Sequence, residues 1–259
     1  MALSLQKANV WKRVSAYLVD TVATIFLALG FLIVLLAIFG YDAQSQRYAE
    51  GEQAYYTQYA EQYDVDFEIS QDEYKSLSPE AKQAYDTALK EAQNAIEQDP
   101  ELMQTADKLF SLVLVSASFG LLASVVVFHF VLPLFFKNGQ TLGKKVFGLA
   151  VMRTNHVKLS TPVLFVRSVI GLYVMETMAP VLLCLMGSVG LIAAALVMIL
   201  QLFVMWKTDT NSSIHDLLAD TVVVDLASQR IFETQDEMLA FRLKQAEENA
   251  KETQENQDV

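Results

Sequence analysis

Four apolar stretches constrain this chain more than any other feature. Val14 to Phe39, Leu109 to Phe136, Val163 to Met186 and Val189 to Trp206 are each long enough, at a helical rise of about 1.5 Å per residue, to cross the roughly 30 Å of a bilayer's hydrocarbon core. Lipid offers no partner to a backbone N–H or C=O, so runs of this length are read as helices. Composition fits only if the chain is segregated: 53% of residues are hydrophobic, yet the net charge is -11. The expected fold class is therefore an all-α polytopic membrane protein, with a helical extracytoplasmic insertion between spans one and two and a small cytoplasmic β element. The first run is too long for the apolar core of a signal peptide and is read as a retained anchor. Spans three and four are separated only by Gly187-Ser188, which predicts a tight helical hairpin.

Orientation follows from the short basic flanks. Lys7, Lys12 and Arg13 precede span one, and Lys137, Lys144, Lys145, Arg153 and Lys158 crowd the loop after span two, which has no acidic residue. That side is read as cytoplasmic, with the chain multi-pass in the cell inner membrane and both termini inside. Residues 1–40 and 109–226 then form the transmembrane domain, 41–108 an acidic extracytoplasmic insertion, and 227–259 a charged cytoplasmic tail read as one helix with a frayed end. In the insertion, Tyr41, Tyr48, Tyr55, Tyr59 and Tyr63 recur at seven- and four-residue steps. Span one should therefore continue outward as an amphipathic helix with a tyrosine stripe, weakest at Gly51. Ser78-Pro79-Glu80 and Asp99-Pro100-Glu101 are helix starts, and the second of these helices should run unbroken into span two.

In the inner loop, Leu149, Val151 and Arg153, then Val157 and Leu159, alternate around Thr154-Asn155-His156 like two strands joined by a turn. The β-branched run Ala219 to Asp225 is the expected third strand.

Charges inside a membrane are scarce and mark functional candidates. Arg13 and Asp20, seven residues apart, share one face of span one, with Arg13 shallow enough to reach the headgroups. Counted in from the span ends, Asp20, His129, Arg167 and Gln201 all lie about 7 to 11 Å below the inner surface. One polar residue per span at one level suggests a shared layer, with Asp20 facing Arg167. The other reading is a set of structural pairs that only hold helices together. His129 and Glu176 each lie four residues before a proline, Pro133 and Pro180. Each helix should therefore present a freed carbonyl beside a titratable side chain, able to meet a cation or water. Glu176 is nine residues from Arg167 and about half a turn away on an α-helix, which predicts that the two do not pair.

RVSAYLVD in the first span, GQTLGKKVFGLAVM in the inner loop, Arg167 at the start of span three and IHDLLADTVVV near the end resemble, in this order, the RDD family of bacterial membrane proteins. Arg13 and Asp20 match the family's first two named residues, and Asp216 after His215 resembles the third. The resemblance implies a polytopic inner-membrane protein proposed to transport unknown ligands, some members being linked to sodium and proton exchange. Two features depart from the pattern: the insertion is unusually long, and Asn155-His156 stands where the hairpin commonly carries glycine. From the residues alone, His215-Asp216 is read as capping or anchoring the inner strand.

Enzyme signatures are missing: the sequence has no nucleophile elbow, phosphate loop, paired-cysteine site or HExxH, and its three histidines are scattered. No enzyme activity, cofactor, metal or nucleic-acid partner is expected, and the single Cys184 is read as a packing residue. Two functional readings stand. One is a transporter of a small solute or monovalent cation, proton- or sodium-coupled, working through the polar layer as a monomer or homo-oligomer. The other is a non-catalytic accessory protein whose outer helical cap binds a protein partner.

Overall fold

A computed structural model describes residues 8–255; Lys7 of the basic flank, the Lys137 side chain and the last residues of the tail fall outside the described residues. Four helices are long and apolar enough to span a bilayer: Val10–Ile38, Pro100–Phe135, Thr161–Cys184 and Gly187–Lys207. They match the four apolar runs, with the second entering from Pro100 without a break. The chain divides into two compact units, one of residues up to Ala28 and from Leu121 onward, the other of Leu29–Gly120.

Within the second unit, span one does not continue smoothly into the tyrosine helix. The break falls at Gly40, which adopts a left-handed φ of 72°, and a new helix runs from Tyr41 to Tyr63. Gly51, expected to be the weak point, is instead a packing site, because a Cβ there would come within 2.4 Å of Leu102 Cδ2. The tyrosine helix packs on the helix Pro79–Gln98, whose Ala88, Ala92 and Ile96 are buried. Ser78 caps that helix by accepting from the Ala81 amide, with Pro79 in its first turn. A third helix that the periodicity did not predict, Gln71–Ser76, starts from a reciprocal Ser70–Glu73 capping box.

In the first unit, strand β1 (Leu149–Arg153) pairs antiparallel with β2 (Thr221–Asp225), in the register Leu149↔Asp225, Val151↔Val223 and Arg153↔Thr221. Both faces are covered. Leu149, Val151 and Val223 pack with Ala8 and Ala16 on one side, while Ala150, Met152, Val222 and Val224 pack against Leu226 and Ile231 on the other. Two-sided burial accounts for the apolar run Val222-Val223-Val224 in place of strict alternation. The hairpin's second arm is reduced to single bridges, Met152↔Lys158 and Val157↔Phe232. Span three begins at Thr161, too soon for that arm to lengthen. His156 takes the turn's left-handed position at φ 69° and is held by Gln229 through Nδ1 at 3.2 Å.

Spans two and three are π-helical in part, over Val126–Val131 and Val166–Met178. Both stretches end just before a proline. A proline cannot donate to the carbonyl four residues back, and an i→i+5 ladder removes that requirement while adding residues to the turn. Spans three and four join through a turn at Leu185-Met186, with Gly187 at φ 71°. Gly190 then lies so close to the Leu183 carbonyl that a Cβ would sit 1.7 Å from its oxygen.

Candidate functional site

The loop after span two folds back against span one because Gly143 has no side chain: a Cβ there would lie 2.1 Å from the Ala16 carbonyl oxygen. Thr141 caps the short helix Leu142–Val146 that carries this glycine. Asp20, almost wholly buried, receives the Gly143 amide at 2.7 Å, the Thr141 hydroxyl at 2.5 Å and the Lys144 ammonium at 3.6 Å. The expected Asp20–Arg167 pairing is therefore corrected: the loop supplies nearer donors. Burial pushes the Lys144 amine down to about 8, Asp20 and Asp216 opposing that push while Arg167 and Arg13 add to it.

Arg167 goes to Asp216. That carboxylate sits at the N-terminus of the short helix Ile214–Leu218, where it forms a capping box with Ser213. It takes Arg13 Nη2 at 2.7 Å and Arg167 Nη2 at 2.6 Å, and it has no exposed surface. Burial acts to raise this carboxyl, but Arg167, His215 and Arg13 hold it well below the usual carboxylate range. Arg13 consequently does not reach for headgroups, since its other terminal nitrogen donates to the Thr210 carbonyl at 3.2 Å.

The π-helical winding overturns the half-turn separation expected of Arg167 and Glu176, although no ion pair joins the two among the described residues. On an i→i+5 ladder nine residues make close to two turns, so Arg167, Gly171 and Glu176 share one face, where an α-helix would set Arg167 and Glu176 on opposite sides. His215 lies on that face. A Cβ at Gly171 would come within 2.6 Å of His215 Cβ. Glu176 accepts the His215 amide at 2.7 Å and meets Nδ1 at 2.9 Å, while Arg167 Nη2 meets Nε2 at 3.0 Å. In span two, the carbonyl of His129 is not left free beside Pro133, because the Ser168 hydroxyl donates to it at 2.5 Å. The His129 ring meets the Thr24 hydroxyl at 3.3 Å.

These groups surround a cavity of about 350 Å³ whose wall includes Arg13, His129, Lys144, Arg167, Glu176, Gln201 and His215. The wall thus takes polar side chains from all four spans; of the predicted layer it includes His129, Arg167 and Gln201, while Asp20 and Asp216 are bonded to the wall residues Lys144, Arg13 and Arg167. Sequence reasoning missed His215 as a site residue, along with Thr141, Gly143, Lys144 and Ser168. For Thr141 the signal was present as a hydroxyl just before the helical LGKKV. For His215 no signal existed, because its placement depends on π-helical winding in a distant segment. Among the described residues, no three His, Cys, Asp or Glu side chains gather as a metal site.

Residues 7–220 match the model described as the RDD family. No curated protein and no solved structure matches this chain.

Proposed function

We propose that this integral membrane protein, which belongs to the RDD family, transports a small solute through the cavity, with Glu176 and His215 as its proton-exchanging pair. The observation that carries this reading is the convergence of polar side chains from all four spans on one cavity wall. Intramembrane ionisable groups around a cavity are the usual means of moving ions and solutes across lipid. The choice of pair follows from the partners. Asp216 is held by two guanidiniums, and Asp20 by an amide, a hydroxyl and an ammonium. Glu176 is bonded instead to the amide and the imidazole of His215, a ring that can both donate and accept a proton through its two nitrogens.

On this reading the protein sits in the inner membrane with both termini in the cytoplasm, and it is not an enzyme. A second reading, a membrane accessory protein, is favoured by one observation: each buried aspartate links separate segments of the chain, as a scaffold requires. Purified protein in sealed vesicles separates the two. A transporter collapses an imposed pH gradient when its solute is supplied, and an accessory protein leaves the gradient standing.

A further inference from the structure

The polar groups of the cavity divide unequally. The carboxylates and the proline-freed carbonyl are taken: both Glu176 oxygens by the His215 amide and ring, both Asp20 oxygens by the loop, both Asp216 oxygens by the arginines, and the His129 carbonyl by Ser168. Two donors are not. Arg167 Nη1 and Gln201 Nε2 are buried with no hydrogen-bond partner among the described residues, although both residues line the cavity and Arg167 is only 5% exposed. A buried donor without an acceptor is costly to maintain, and a charged donor more so, so the arrangement calls for an acceptor from outside the chain. A bare cation needs several oxygen ligands, and the carboxylate oxygens already have partners. The charges balance: Arg13, Lys144 and Arg167 stand against Glu176 on the wall and against Asp20 and Asp216 directly behind it, so it is the two unpaired donors that select the ligand. The rest of the wall is largely apolar.

We infer that this cavity binds a small organic anion, its oxyanion head held by Arg167 Nη1 and Gln201 Nε2 and its apolar body resting on Leu172, Met198, Leu202 and Met205. The inference rests on the transport reading and gives it a substrate class. A cavity of about 350 Å³ has room for on the order of ten waters, which suits an acid of a few carbons. An anion taken up together with a proton would also leave the paired charges of the cluster undisturbed, the proton residing on the Glu176–His215 pair.

The same head and body are found in a short-chain carboxylic acid and in an anionic lipid, and two arms of one experiment distinguish them. Thermal melting of the full-length protein in neutral detergent is titrated with butyrate, with the uncharged butyramide as control, and separately with phosphatidylglycerol. Butyrate is expected to raise the midpoint saturably while butyramide does not, and Gln201→Leu should weaken the apparent affinity about tenfold, the loss of one hydrogen bond to a charged group. If Gln201→Leu does not fold, Gln201→Glu sets a carboxylate against the anion and should abolish the response. A rise with phosphatidylglycerol alone that depends on Gln201 supports the oxyanion site and makes lipid its occupant. No response to either anion, or an equal response in the Gln201 variants, overturns the proposal. Gln201-dependent butyrate binding, with flux of the impermeant analogue propanesulfonate no faster than in protein-free vesicles, removes the transport reading and leaves the anion site standing.

Discussion

Asp216 and Asp99 carry the same side chain and do the same local work, each capping a helix start, yet the two units use them differently. Asp99 accepts the Glu101 and Leu102 amides at 2.8 and 3.1 Å and the Tyr55 hydroxyl at 2.9 Å, and the Leu102 amide, Tyr55 and the Glu101 amide lower its pKa in turn. All its partners are neutral. Asp216 is buried between two guanidiniums that come from different spans. The comparison teaches that a cap made with neutral partners is local and replaceable, whereas a cap that also neutralises two buried cations ties three segments together. Removing one member of such a cluster leaves the others charged and without water.

Asp216→Asn breaks this contrast most severely. It leaves Arg13 and Arg167 without a counter-charge and should cost about 3–5 kcal/mol, read as a large drop in the melting midpoint in detergent. Next comes Gly171→Ala, whose new methyl meets His215 at 2.6 Å. Pushing the short helix off span three should cost about 1–3 kcal/mol and lower flux in vesicles as well as stability. A smaller effect is expected from pH. The Lys144 amine is lowered to about 8 from 10.5, so between those values the unfolded chain binds the proton that the folded one has released, and stability rises with pH across that window. Lys144→Met should flatten the rise, which melting curves recorded from neutral pH to above 10 will show. The smallest change is expected from Asp99→Asn, because the asparagine oxygen still caps the helix while its amide nitrogen donates to the Tyr55 hydroxyl, which turns from donor to acceptor. A midpoint indistinguishable from wild type is predicted there, and a drop as large as that of Asp216→Asn would erase the distinction between the units.

Much of the fold was legible in the sequence because it depends on local rules. Length and hydropathy give the four spans, Ser78-Pro79 and Asp99-Pro100 give two helix starts, and the β-branched Val222-Val223-Val224 gives the strand that pairs with Leu149 to Met152. That His129, Arg167 and Gln201 lie near one another was legible, since depth follows from helical rise. The pairings were not. Asp20 is claimed by the Gly143 amide, a backbone donor that no side-chain pattern reveals, and Glu176 and Arg167 share a face only through the π-helical stretch Val166–Met178. Gly40 rather than Gly51 breaks the outer helix because neighbouring packing, here Leu102 against Gly51, decides which glycine keeps a helical conformation.

The central claim is that the Glu176–His215 pair carries the proton, while Asp20 and Asp216 hold the architecture. Glu176→Gln keeps a hydrogen-bond acceptor for the His215 amide but cannot exchange a proton near neutral pH. Collapse of an imposed pH gradient, followed with a dye in vesicles at matched protein incorporation, tests the claim most directly with propanesulfonate as the supplied solute, a small organic anion that does not cross lipid as a neutral acid. The account predicts that wild type collapses the gradient and that Glu176→Gln, with an unchanged melting midpoint, does not. Equal collapse by the two proteins would contradict it.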